Sequence, residues 1–518
     1  MVGSDALRAD VASVLRSGVE WEALWGSVWT SAVSVALAAA IGVPLAVLFE
    51  RYDFPGRRLL GALMALPAVL PPLVGVIAFL FLYGESGFVA RAVQAVFGLR
   101  DAPWRLRGAG AILLVHAYSM YVYFYLFTRA GLARLDESML EAAASLGAGR
   151  WRTARRVVLP LLRPVLASAA LLTFMTALAS FSAPYIFGGG FRVLTTQIVA
   201  TKLNGDLPRA MVETLALTVV ALAGFAVLRR GEGQGLLVAV GKGTAPRPRR
   251  IASPALRRLT LVLGWGLAVL MLLPHLTLVV VALVPEGTWT TQALPPRYTL
   301  ANFTALVTEA ERLRPLLNSL WMAAVAALAA VAVALLAGHL VVRLRVRLAR
   351  AIEWLIALPW VVPGTVLAIG LATTFGVTRP LAARFVLVGT AAILPLAYLV
   401  RSLPLTGRAV LAGYRQLDPA LEEAARSLGA GRWRRLCRVT VPALRPALAA
   451  GGGLAFVTAL GDFVTSVLLY TYDTRPISIE ILSSLRLEEV GVAAAFGVVL
   501  MAVSAAALGV GARLGGSR

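Results

Sequence analysis

Few side chains in this 518-residue sequence are spaced for bond-making chemistry. The three histidines, at 116, 275 and 339, stand too far apart to give the short ligand spacings of a metal motif. The stretch Gly241-Lys242-Gly243-Thr244 places a lysine beside glycine and threonine. A phosphate-cradling loop, however, needs Gly, four residues, then Gly-Lys-Ser/Thr between a strand and a helix. Here position 236 is Leu and Gly243 follows the lysine, so the stretch reads as a flexible basic linker. No catalytic residue, metal ligand or cofactor of this chain is assigned from these patterns.

One acid stands out. Asp462 lies inside the apolar run 446–469, among Ala459, Leu460, Gly461, Phe463 and Val464. A charged residue near the middle of a membrane span costs roughly 2.5–3.5 kcal/mol on insertion scales, so it is expected to face a cavity or a partner. The residue 282 positions earlier is Ser180. Two readings stay open. Asp462 and Ser180 line a translocation path, where a carboxylate suits a hard cation, or Asp462 pairs with an Arg or with backbone at a kink near Gly461.

The elements that would hold such residues follow from a repeat. Residues 135–164 read LDESMLEAAASLGAGRWRTARRVVLPLLRP and residues 417–446 read LDPALEEAARSLGAGRWRRLCRVTVPALRP. Glu141 matches Glu423, Gly147 matches Gly429 and Pro160 matches Pro442, all at an offset of 282 residues. Such a repeat sets the architecture. Asp136 and Asp418 stand where helix N-caps belong, and Gly147 and Gly429 where short helices end. Basic residues then lead into an apolar run. The Lys/Arg excess places both stretches on the cytoplasmic side.

Glu-Ala-Ala, three residues, Gly, and a later Leu/Val-Pro resemble the EAA signature of the permease subunits of bacterial ABC importers. Glu141, Ala142, Ala143 and Gly147 carry it in the first half, and Glu423, Ala424, Ala425 and Gly429 in the second. The resemblance implies that each motif is a coupling helix docking into a groove on an ATPase subunit. It implies two such ATPases, which bind the ATP and Mg, and a periplasmic or lipid-anchored solute-binding protein. It also implies residence in the bacterial cytoplasmic membrane and transport by alternating access.

Composition points the same way. The chain is 59% hydrophobic and 14% charged, with a formal net charge of +23. That is too apolar for a water-soluble protein. The arginines cluster in short loops between apolar runs, which positive-inside topology explains and nucleic-acid binding does not. The single Cys437 excludes an intramolecular disulfide.

Apolar runs predict an all-α, polytopic helical bundle of two tandem halves, 1–250 and 251–518, with about eleven spans. The first five are 25–49, 59–83, 108–127, 164–187 and 210–228; the second six are 259–284, 316–342, 351–375, 386–405, 446–469 and 490–510. Ser27 and Trp29 match Ser319 and Trp321, and Pro67 and Pro71 match Pro359 and Pro363, at an offset of 292. The offset falls to 282 by the repeated motif, so the first half holds ten extra residues between, expected in the external stretch 84–107. The prolines predict kinked or unwound spans. Span 259–284 has no counterpart in the first half. With both motifs cytoplasmic, the N-terminus is expected outside and the C-terminus inside, and six spans per half, usual in the family, would require a further helix before residue 25.

Within the family, the fused halves resemble the ferric-iron and thiamine permeases, and more distantly those for polyamines, sulfate and molybdate. Ala183-Pro184-Tyr185-Ile186-Phe187-Gly188-Gly189 with Arg192-Val193-Leu194-Thr195-Thr196 resembles the ferric-iron branch. A secondary transporter, which also uses repeats and broken helices, is the alternative of a different class; it has no need of a matched cytoplasmic helix.

Overall fold

The computed structural model describes residues 16–232, 248–289, 294–378 and 382–515. The Gly241–Thr244 stretch lies outside them. The described chain is helical apart from one two-residue strand pair, Tyr52–Asp53 with Arg249–Arg250. By contact it forms two compact units, one drawn from Met1–Leu70 and Gly75–Leu278, the other from Pro71–Val74, Val279–Thr290 and Pro295–Arg518.

Among the described residues, nine helices are long and apolar enough to cross a membrane, and ten if the bent pair Ala349–Val361 and Gly364–Phe375 counts as one. The remaining expected span, 386–405, corresponds to helix Ile393–Gln416. Arg401, Arg408 and Arg415 make that helix more polar than its first-half counterpart Gly108–Ala133.

Each unit is built on one long helix whose buried face carries small residues. In Gly18–Arg51 the buried positions include Gly26, Thr30, Ser34, Ala38, Gly42 and Ala46, four apart, and this face packs on Gly108–Ala133. In Ala310–Gly338 they include Ser319, Ala323, Ala326, Ala330, Ala334 and Gly338, packed on Ile393–Gln416. Small side chains let helix backbones approach closely, which is what holds helices together where lipid removes the hydrophobic drive. The matched serines do the same work twice. Ser27 Oγ accepts from Leu194 N (2.8 Å) and Ser319 Oγ from Ile477 N (2.7 Å), each at the start of a short buried helix.

Two further features follow the repeat. The 292 offset still relates helix Pro72–Tyr83 to Gly364–Phe375, while Gly108–Ala133 follows the 282 offset. The ten-residue helix Phe88–Phe97 lies in the interval where the offset changes. Helix Pro254–Ala282, which opens the second half in sequence, packs as far as Leu278 in the first unit. Tyr118 Oη donates to Met271 O at 2.9 Å, and Ala268 and Met271 share a core with Phe49, Met64, Tyr121 and Tyr125.

The spans differ from the apolar runs in several places: run 59–83 is broken before Pro72 and the span there is Pro72–Phe97, reaching into the stretch 84–107 expected outside, and two further differences repeat between the halves. Runs 164–187 and 446–469 are not continuous helices. Leu159–Leu178 stops and Ser182–Phe187 restarts; Val441–Leu460 stops and Val464–Leu469 restarts, with every boundary 282 apart. Hydropathy sees only apolarity, and a break that keeps its side chains buried does not alter it. At the other end, the basic segments are helical rather than loop. The span helices begin at Arg150 and Arg432 and run through π turns at Ala154–Val158 and Leu436–Thr440 before Pro160 and Pro442.

Candidate coupling helices and polar breaks

The repeated motifs fold as two short helices, Glu137–Ser145 and Pro419–Ser427. Asp136 Oδ1 accepts from Ser138 N at 3.0 Å and Asp418 Oδ1 from Ala420 N at 2.9 Å, so both N-caps are occupied. Both ends are the same glycine-terminated motif. Ala148 N donates to Ala143 O and Gly147 N to Ala144 O; Ala430 N donates to Ala425 O and Gly429 N to Arg426 O. Gly147 and Gly429 sit at φ of +73° and +79°, where a side chain strains the backbone, although no atom lies within 4 Å of either Cβ position.

Glu141 and Glu423 are exposed, as are Ala142 and Ala424, while Ala143 is buried and Ala425 half-buried. Large apolar side chains are also left open beside them. Leu146 and Leu428 are 86% and 88% exposed, and Trp151 and Trp433 78% and 76%. Apolar groups of this size, twice in register, mark a surface that meets another protein or the membrane face.

Ser180 and Asp462 sit at the two helix breaks, in different surroundings. Ser180 Oγ is 2.9 Å from His116 Nε2, whose Nδ1 is 2.8 Å from Ser34 Oγ, and Ser180 O accepts from Thr195 Oγ1 at 2.7 Å. Asp462 is buried and fully engaged. Its Oδ1 accepts from Thr465 N at 2.9 Å, capping the helix that restarts at Val464, and its Oδ2 lies 2.8 Å from Arg401 Nη1. Arg401 Nη1 also donates to Thr465 Oγ1 at 3.0 Å. A Cβ on Gly364, at the start of the helix after the 110° bend, would collide with Arg401 Nη1. Tyr398 Oη and Ser466 Oγ are 2.6 Å apart. One guanidinium thus joins two broken spans of the second unit.

Arg401, Tyr398 and His116 were not among the sequence candidates. A lone Arg within the apolar run 386–405 is the signal that finds the first, because such a charge needs a partner. Among the described residues, no three His, Cys, Asp or Glu side chains gather as a metal site. Cys437 is an exposed free thiol.

Two repeated bundles of spans, each with a capped helix outside its span set and a break within it, define a multi-pass transport subunit. Residues 38–230 and 330–515 match the family model described as the binding-protein-dependent transport system inner membrane component. The chain belongs to that family, the inner-membrane permease subunits of ABC importers. It is 32% identical to a probable ABC transporter permease protein of Sinorhizobium fredii, over 99% of this chain and 91% of that one. It is 30% identical to the ferric transport system permease protein of Actinobacillus pleuropneumoniae over 85% of this chain, and spans 63% of that protein's length. The thiamine transport system permease protein of Escherichia coli K12 is 28% identical over 91% of this chain and 84% of its own length.

Proposed function

We propose that this chain moves ferric iron, delivered by a solute-binding protein, and that two separate ATPase subunits drive it through helices Glu137–Ser145 and Pro419–Ser427. The observation that carries the coupling role is the paired construction of those helices: same caps, same glycine ends, same exposed Leu and Trp at one offset. A helix of nine residues is marginal alone in water, and these two expose the apolar groups that a partner would cover. Glu141, Ala142, Ala143, Gly147, Glu423, Ala424, Ala425 and Gly429 form the contact or shape it. The chain then needs no nucleotide site of its own, and ATP and Mg are held by the ATPases.

Iron is favoured over thiamine by the resemblance of residues 183–196 to the ferric-iron branch and by the hard carboxylate at one break; overall identity, 30% to permeases of each kind, does not separate them. Asp462 and Ser180 each belong to the translocation path in this reading, with Asp462 released from Arg401 during transport. Proteoliposomes holding the chain, its ATPases and its solute-binding protein test it. Uptake of ferric iron on ATP addition, with none of thiamine or molybdate, is expected. Thiamine uptake without iron uptake would replace iron as the solute.

A further inference from the structure

Two buried acids at one end of the first unit lean on a single guanidinium. Glu20 lies in the first turn of helix Gly18–Arg51 and Glu213 in the second turn of helix Leu207–Glu232, with side chains 4% and 0% exposed. Arg209 pairs with Glu20 Oε1, and its Nε lies 3.9 Å from Glu213 Oε1. Thr201 Oγ1, on helix Leu194–Leu203, donates to Glu213 Oε1 at 3.0 Å, and Gln197, one turn earlier, faces the same carboxyl. The second oxygen of each acid is buried as well. Neither Glu20 Oε2 nor Glu213 Oε2 has a hydrogen-bond partner among the described residues.

The charges nearby do not balance the pair. Arg209 is shared further, because it also attracts Asp206, whose Oδ1 accepts from Arg209 N at 3.1 Å. Lys202, next to Thr201, is half-buried and already engaged. Glu22, Arg192 and Asp206 are exposed. Helix Leu159–Leu178 packs on Leu207–Glu232 and has no titratable residue after Arg163. Burial and a like charge each favour the neutral form of a carboxyl, and a buried ion that lacks its own partner is costly. The arrangement is not part of the repeated scaffold. At the matched positions of the second half, Arg312 replaces Glu20, Gly491 replaces Arg209 and Ala495 replaces Glu213.

We propose that Glu20, Glu213 and Arg209 form a proton-binding site in which the two carboxyls hold one proton between them. The proton comes from water at the end of the unit where the N-terminus lies, expected outside, and the O–H of one carboxyl is the bond that forms. With it in place, one negative charge faces one guanidinium, and helices Gly18–Arg51, Leu194–Leu203 and Leu207–Glu232 are drawn together. Without it, the second negative charge drives them apart. Helix Leu194–Leu203 also carries Thr195, whose Oγ1 donates to Ser180 O at 2.7 Å, so loosening there reaches the helix break. The site needs neither a particular solute nor the coupling role of the short helices.

The test uses the full chain purified with its ATPase subunits. Infrared spectra taken between about pH 5 and about pH 8 read the C=O stretch of a neutral carboxyl. The parent should show such a band at about pH 7, where an exposed glutamate is ionised. Glu213→Gln removes one acid, and Glu20→Gln leaves Glu213 alone with Arg209 and therefore ionised, so each should lose the band. Thr201→Val keeps both acids and withdraws one hydrogen bond, so its band should stay and move to higher frequency. Melting temperature reads the same proton independently. A proton kept by the folded chain and released by the unfolded one makes stability fall as pH rises, so the parent should lose more with rising pH than either Gln variant. A band that survives both Gln substitutions overturns the proposal. A band lost in only one of them assigns the proton to a single acid and overturns the shared site. Should the Gln variants fail to assemble with the ATPases, Thr201→Val decides, and an unshifted band there overturns the proposal.

Discussion

Arg401 and Asp462 meet at 2.8 Å inside the second unit, joining a helix break to a helix that carries no break of its own. Removing one member of a buried pair strands the other charge, at a cost of about 3–5 kcal/mol. Asp462→Asn keeps the side-chain oxygen that caps the helix at Val464, yet leaves Arg401 facing a neutral amide. We expect a lower melting temperature for Asp462→Asn in detergent, and a larger recovery in Asp462→Asn with Arg401→Gln than additivity allows. Uptake should fall in both, because the double variant regains the fold and not the charge. A single variant that melts with the parent would show that the pair carries no net stability.

The ends of the coupling helices make a sharper test of backbone than of size. Gly147 and Gly429 adopt positive φ in open space. Asn visits that region far more readily than a β-branched residue does. Gly147→Asn and Gly429→Asn should therefore keep solute-dependent ATP hydrolysis, while the Val variants lose most of it with the membrane bundle still folded. Equal activity of Asn and Val variants would remove the turn from the coupling mechanism.

The repeat made much of this architecture legible. Asp136, Asp418, Gly147 and Gly429 fall where capping rules place them, because those signals are local. The breaks at Ser180 and Asp462 escaped a hydropathy reading, since buried irregular backbone is as apolar as helix. Pairing across helices was also out of reach. Glu20 pairs with Arg209 in the first unit, whereas Arg312, the counterpart of Glu20, pairs with Glu489 at 3.2 Å in the second. The charges are inverted while the bridge between first and last helix is kept, so aligning residue types hides the relation. For Asp462 the sequence names the kind of partner, an Arg or backbone at a kink near Gly461, and the structure supplies both, Arg401 and Thr465 N; which Arg it is, 61 residues upstream, is what local signals do not reach.

Topology follows from span parity and charge. If the eleven expected spans all cross and both repeated motifs face the cytoplasm, the two ends fall on opposite sides, and Arg513 in the last turn of the final helix suits the cytoplasmic face. Reporter fusions at residues 10 and 515 should report outside and inside respectively. Both ends on one side would mean that helix Ile393–Gln416, with its three arginines, does not cross as counted.

The exposed Leu146, Trp151, Leu428 and Trp433 give the most direct measure of the ATPase contact. Each is more than three-quarters exposed, so substitution removes little from the fold. If an ATPase covers them, burying one Leu contributes about 1.5–3 kcal/mol, and each 1.4 kcal/mol is tenfold in affinity. Leu146→Asp together with Leu428→Asp should therefore weaken association at least about a hundredfold, seen as loss of the ATPase on co-purification. Thermal stability of the isolated permease should change little. Leu328→Ala, an exposed position on a span, serves as the control and should retain the ATPase. Two coupling helices contribute separately, so Leu146→Asp or Leu428→Asp alone should give partial loss, and the two losses need not be equal. Undiminished association in the double variant would move the ATPase contact away from both motifs.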